Sequence, residues 1–108
     1  MGTNRIANVY VKNVFAGTLK ETDYGYSFKY DKDYLDNPNS TNISLTMPKQ
    51  YEEYTSNTLF AFFDGLIPEG WLLNILIKNW KINQNDRFGL LLVACQDCIG
   101  KVSIKEIK

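Results

Sequence analysis

The chain has 108 residues, 44% hydrophobic and 14% aromatic, which is enough apolar content for one folded domain and argues against a disordered segment. Twelve Lys and Arg balance twelve Asp and Glu, so the basic excess of a protein that wraps nucleic acid is missing. No apolar run approaches the roughly 20 residues of a membrane span, and the N-terminus lacks the charged-then-apolar pattern of a signal peptide.

The first third reads as β. Val9 and Val11 alternate with Asn8, Tyr10 and Lys12, the period-two pattern of a half-buried strand. Lys12-Asn13 supplies a tight turn, because Asn tolerates positive φ, and Val14 to Leu19 runs back. Asp23-Tyr24-Gly25 is a second turn signal. Tyr26, Phe28 and Tyr30 then alternate with Ser27 and Lys29, completing a three-strand meander.

Asp31 is a candidate N-cap for a short helical turn to Leu35. Asp36 to Ser40 is a loop by composition. Ile43, Leu45 and Met47 alternate with Ser44 and Thr46, which predicts a fourth strand ended by Pro48. Lys49 to Asn57 is polar and expected to be exposed. Leu59 to Phe63 is dense in aromatics and reads as a short buried helical turn or an irregular segment.

Gly70 to Lys81 is the clearest helix, with Pro68 and Glu69 suited to its start. On a wheel of about 100° per residue, Leu72, Leu73, Leu76, Ile77 and Trp80 fall in one arc roughly opposite Trp71. That arc is the expected core face. Asn74 and Lys78 share the Trp71 face. Trp71 therefore has three readings: packing beneath the preceding loop against Leu66 or Phe63, contact with another protein, or the lining of a small-ligand pocket. Asn85 or Asp86 can cap a second helix running to about Cys95. Gly100 permits a turn, and Val102 and Ile104 mark a last strand. The expected architecture is α+β, one domain over residues 1–108, with about five mainly antiparallel strands and two main helices.

The chemistry is sparse. The sequence has no histidine, so the commonest general base and metal ligand are missing. Cys95 and Cys98 form a CxxC pattern after the apolar run Leu90 to Ala94. That places it at a helix C-terminus, the end that disfavours a thiolate. Two thiols without histidine do not complete a tetrahedral zinc site. Asp31, Asp33 and Asp36 lack the full spacing and central glycine of a calcium loop. There is no phosphate-binding glycine loop, no G-x-S-x-G, and no H-R-D or D-F-G element. Neither catalysis nor a cofactor or metal is expected, and the cytoplasm is the expected location.

The ordered segments resemble a known family. Val9-Tyr10-Val11-Lys12-Asn13 followed by Ala16-Gly17-Thr18-Leu19 is similar to the opening strand pair of HipA-type kinase toxins, although their turn more often reads Asn-Gly. Tyr26 to Tyr30 with Tyr34-Leu35, and Ile43-Ser44-Leu45-Thr46-Met47-Pro48, resemble the next elements. Phe62-Phe63-Asp64-Gly65-Leu66-Ile67-Pro68-Glu69-Gly70 resembles the family's F-F-x-G-L-L-P-E-G core. Phe88-Gly89-Leu90-Leu91 and Asp97-Cys98-Ile99-Gly100 resemble its later elements, with Cys95 standing where a small residue is commoner.

The resemblance implies the N-terminal subdomain of a serine/threonine kinase toxin. In split toxin–antitoxin operons that subdomain is a separate antitoxin, HipS. It implies three further things: binding to a HipT-like kinase, neutralisation of that kinase, and a HipB-like helix-turn-helix DNA-binding protein in the same complex. The expected partner contacts are Asp64, Gly65, Leu66, Pro68, Glu69, Gly70 and Trp71, with Asn74 and Lys78 beside them. The alternatives are a structural subdomain that braces a full-length HipA-like kinase, and a redox protein using Cys95 and Cys98.

Overall fold

The computed structural model describes residues 4–68, 70–83, 85–95 and 102–107, without the side chains of Trp71 and Cys95. Strands β1 (Ile6–Val11) and β2 (Val14–Thr22) form the first hairpin. Their turn residues Lys12 and Asn13 both have positive φ, 50° and 68°, as a two-residue hairpin turn with the right twist requires. β3 (Gly25–Tyr30) extends the meander. Helix α1 (Lys32–Asp36) follows, and the carboxylate of its N-cap Asp31 accepts from the Tyr34 backbone N–H at 3.3 Å.

β5 (Val102–Ile107) returns to pair with β1, Val9 opposite Ile104 and Ile6 opposite Ile107. The sheet is antiparallel throughout and, with β4 (Tyr54–Ser56) at one edge, has the order β4-β3-β2-β1-β5. The pairing of β1 with β2 shifts register between Val9 and Tyr10, where Val9 faces Gly17 and Tyr10 faces Phe15. Gly17 is needed here for space, since a Cβ would sit 2.5 Å from the Lys29 carbonyl oxygen and 2.8 Å from the Phe28 ring.

The fourth strand is not where alternation placed it. Ile43 to Met47 makes only an isolated bridge between Ser44 and Met47, and β4 is Tyr54–Ser56, paired with β3. Ile43 and Met47 are buried while Leu45 projects at the tip of a tight turn, 97% exposed. A buried hydroxyl replaces the missing ladder. Tyr30 Oη accepts from the Ile43 N–H at 3.0 Å and donates to the Met47 carbonyl. Burial pushes the Tyr30 phenol up to about 12, so it remains a donor.

One face of the sheet carries the core. Val9, Leu19, Phe28 and Ile104 pack with Phe63, Phe88, Leu90 and Leu91 from the helices α2 (Ala61–Asp64) and α4 (Arg87–Cys95). The long helix α3 (Gly70–Trp80) lies against α4. This confirms an α+β architecture with a five-stranded antiparallel sheet and two longer helices.

Candidate functional site

The loop that enters α3 is built on an aromatic anchor. Phe63 is fully buried, with its ring 5.6 Å from Phe28, 6.3 Å from Phe60 and 5.2 Å from Phe62. After it the chain tightens through successive turns: Gly65 N–H to Ala61 O at 2.9 Å, Leu66 N–H to Phe63 O at 3.0 Å, and Ile67 N–H to Asp64 O at 3.2 Å. Ile67 is buried and closes this stretch onto the core. The loop is therefore pinned at Phe63 and Ile67, with the exposed Gly65 between them.

Each expected contact residue has a distinct setting. The Asp64 carboxylate accepts from Arg87 Nε at 2.8 Å, which ties the loop to the first residue of α4. Leu66 and Pro68 are half-buried, and Leu66 packs against the core. Gly70 has φ 65° and open space around the position of a Cβ, so its backbone angle and not its size calls for glycine. Asn74 and Lys78 are exposed on α3. Glu69 and the Trp71 side chain lie outside the described residues, as do Cys98 and the side chain of Cys95.

The expected core arc of α3 needs correction. Leu73 and Ile77 pack against the core and Leu76 is half-buried, but Leu72 is 43% and Trp80 60% exposed. Ile75 is also exposed, at 40%. Among its described side chains the helix carries more apolar circumference than the domain covers: α3 rests mainly on α4, and of those side chains the i, i+4 pair Leu73 and Ile77 packs against the core.

A polar network that sequence reading passed over holds α4 in place. Arg5 donates through Nε and Nη2 to the Glu21 carboxylate at 2.7 and 3.0 Å. Through Nη1 and Nη2 it donates to Asp86 at 3.0 and 2.6 Å. Its guanidinium also lies 5.1 Å from the centre of the Phe88 ring. Asp86 caps α4 by accepting from the Gly89 N–H at 3.1 Å. The bonds from Arg5 hold both carboxyls below their ordinary range, and the two carboxylates in turn push the Arg5 pKa up. An arginine before a predicted strand gives no sequence cue to partners so distant.

Among the described residues no cluster of acidic or thiol groups could hold a metal, and no helix is long and apolar enough to cross a membrane. Fold and loop together define a small α+β domain in which a pinned, glycine-flanked loop leads into a helix with uncovered apolar residues. The chain belongs to the HipA N-terminal domain family, whose model matches residues 7–105. Its structure is similar over its whole length to a solved "N-terminal domain of HipA toxin", with TM-score 0.75 and 27% identity, covering 97% of that chain. Both matches are to the N-terminal domain of HipA, which is not its catalytic kinase domain.

Two relatives show this segment in different settings. An uncharacterised protein of Haemophilus influenzae is 35% identical over 104 residues, spanning 96% of this chain and 94% of that protein. A Sinorhizobium fredii protein named "Putative kinase Y4mE" is 31% identical over 68 residues, 62% of this chain but only 16% of that protein.

Proposed function

We propose that this chain is a HipS-like antitoxin. It is a non-catalytic subunit that binds a HipT-like serine/threonine kinase in the bacterial cytoplasm and neutralises it, in a complex that includes a HipB-like DNA-binding protein. It needs no cofactor and touches neither nucleic acid nor membrane directly. The observation that carries this reading is the pairing of family with size. A 35%-identical relative is almost wholly accounted for by this one domain, while another carries the same segment as 16% of a protein named as a kinase. In this reading the contact is the loop Asp64 to Gly70 with Trp71, flanked by Asn74 and Lys78.

The test is co-expression with a HipT-like kinase that lacks this domain, taken from the neighbouring reading frame if that frame encodes one. The wild-type chain relieves the kinase's growth arrest and co-purifies with it, and Trp71→Ala lowers affinity by about thirtyfold or more, the usual cost of truncating a buried interface tryptophan. A kinase that is neither bound nor restrained by the wild-type chain refutes the proposal. The second reading, a structural subdomain bracing the kinase fold, is favoured by the fused relative. It predicts that the chain binds and raises kinase activity instead of lowering it.

A further inference from the structure

We infer that Arg87, the first residue of α4, is a positioning residue for the loop contact proposed above. It holds the start of that loop, Asp64 to Ile67, in the shape that meets the kinase, and does not touch the kinase itself. This rests on the antitoxin reading and deepens it, because it names a residue outside the expected contact set and says how the domain orders its contact loop.

The backbone of Arg87 is fixed on both flanks. Before it, the Asp86 carboxylate accepts from Arg5 Nη1 and Nη2 at 3.0 and 2.6 Å and from the Gly89 N–H at 3.1 Å. After it, Phe88 is fully buried and stacks on Tyr26 with ring centres 6.1 Å apart. From this fixed base Arg87 Nε donates to Asp64 Oδ1 at 2.8 Å, across 23 positions of sequence. The two side chains are 35% and 43% exposed, so the pair adds little to global stability. Its effect is local, on the segment that carries Asp64.

Asp64 ends α2 and opens the loop. Between the buried anchors Phe63 and Ile67, the N–H bonds of this stretch run back along the chain itself: Gly65 to Ala61 O, Leu66 to Phe63 O and Ile67 to Asp64 O. Single turns of this kind open readily. The bond from Arg87 joins them to a distant helix that the core and Arg5 hold in place. A loop that samples other shapes binds with an affinity reduced by the fraction that is competent, and it associates more slowly. A residue that orders the free loop therefore acts on association. One that touches the partner acts mainly on dissociation.

The experiment compares the wild-type chain with Arg87→Met and Asp64→Asn. Amide hydrogen exchange is read on the unbound chain, and surface plasmon resonance reads binding to a HipT-like kinase that lacks this domain. In both variants the amides of Gly65, Leu66 and Ile67 are expected to exchange about threefold to tenfold faster, the scale of one partly exposed charged hydrogen bond, while those of β1 and β2 stay as they are. The double variant should exchange no faster than either single one, since both remove the same bond. Arg87→Met is expected to lower kon by a similar factor, with koff and the unfolding midpoint unchanged. Asp64→Asn supplies the exchange result should Arg87→Met fail to fold. Unchanged exchange at these three amides, faster exchange with unaltered binding, or an affinity loss that lies in koff each overturns this inference alone and leaves the antitoxin reading standing. A wild-type chain that does not bind the kinase overturns both.

Discussion

Arg5 and Asp86 lie 81 positions apart in sequence and meet at 2.6 Å, one guanidinium closing the start of β1 onto the first turn of α4. The same guanidinium holds Glu21 on β2, so one side chain ties two strands to the helix that supports α3.

Replacing Arg5 by Met should therefore destabilise the domain by about 1–2 kcal/mol, more than an isolated surface ion pair, because two part-buried carboxylates lose their partner together. Asp86→Ala should cost a similar amount through loss of the cap and of the ion pair. Urea denaturation followed by circular dichroism measures both. A midpoint unchanged in Arg5→Met would show that the network is ornamental.

The same network sets the acid response. Glu21 and Asp86 have depressed pKa values in the folded state, chiefly through their bonds to Arg5. A depressed carboxyl contributes stability that is fully present above its unfolded value, 4.5 for Glu and 3.8 for Asp, and is lost as pH falls through the folded one. Stability should be flat above about pH 5.5 and fall below about pH 4.5. Arg5→Met should flatten that fall. A variant whose acid limb matched the wild type would place the titrating groups elsewhere.

Tyr30→Phe removes the hydroxyl that serves both Ile43 and Met47. It leaves a buried N–H and a buried carbonyl without that partner, at a cost of about 1–3 kcal/mol. The damage should centre on the turn that carries Leu45. Limited proteolysis is expected to cut the variant between residues 40 and 50 while the wild type resists. Equal resistance would mean that the turn holds itself.

Phe63→Ala should cost about 3–5 kcal/mol, since the ring is fully buried among Phe28, Phe60 and Phe62. Trp80→Ala should stay within about 0.5 kcal/mol of wild type, because most of that side chain is in solvent. Thermal unfolding of the pair checks this directly. If Trp80→Ala melted as early as Phe63→Ala, the exposure of α3 would be wrong.

Local pattern was a good guide wherever local chemistry sets local structure. The Lys12-Asn13 turn, the Asp31 cap, the meander and the two longer helices follow from alternation, turn residues and capping. It misled where one pattern has two physical solutions. Ile43, Leu45 and Met47 alternate as a strand does, but a tight turn also buries the outer two and exposes the middle one. β4 has a weak pattern of its own and exists because β3 offers it an edge. Leu72 and Trp80 read as core because an apolar arc is assumed to face inward, and sequence does not say how much of it the domain can cover. Of the loop, the tether from Asp64 to Arg87 was not legible, because it depends on tertiary closure.

The pairing of Val9 with Ile104 also bears on how the protein is made. β1 is made before both strands it pairs with and can pair with β2 as soon as that strand emerges, but its other edge stays open until residues 102–107 have been synthesised. At cellular elongation rates that wait is on the order of ten seconds. For that time the nascent chain presents a bare β-edge beside a half-built core. The last strand is thus a closing stitch, and its late arrival, more than any local helix or hairpin, sets when the domain can first become native.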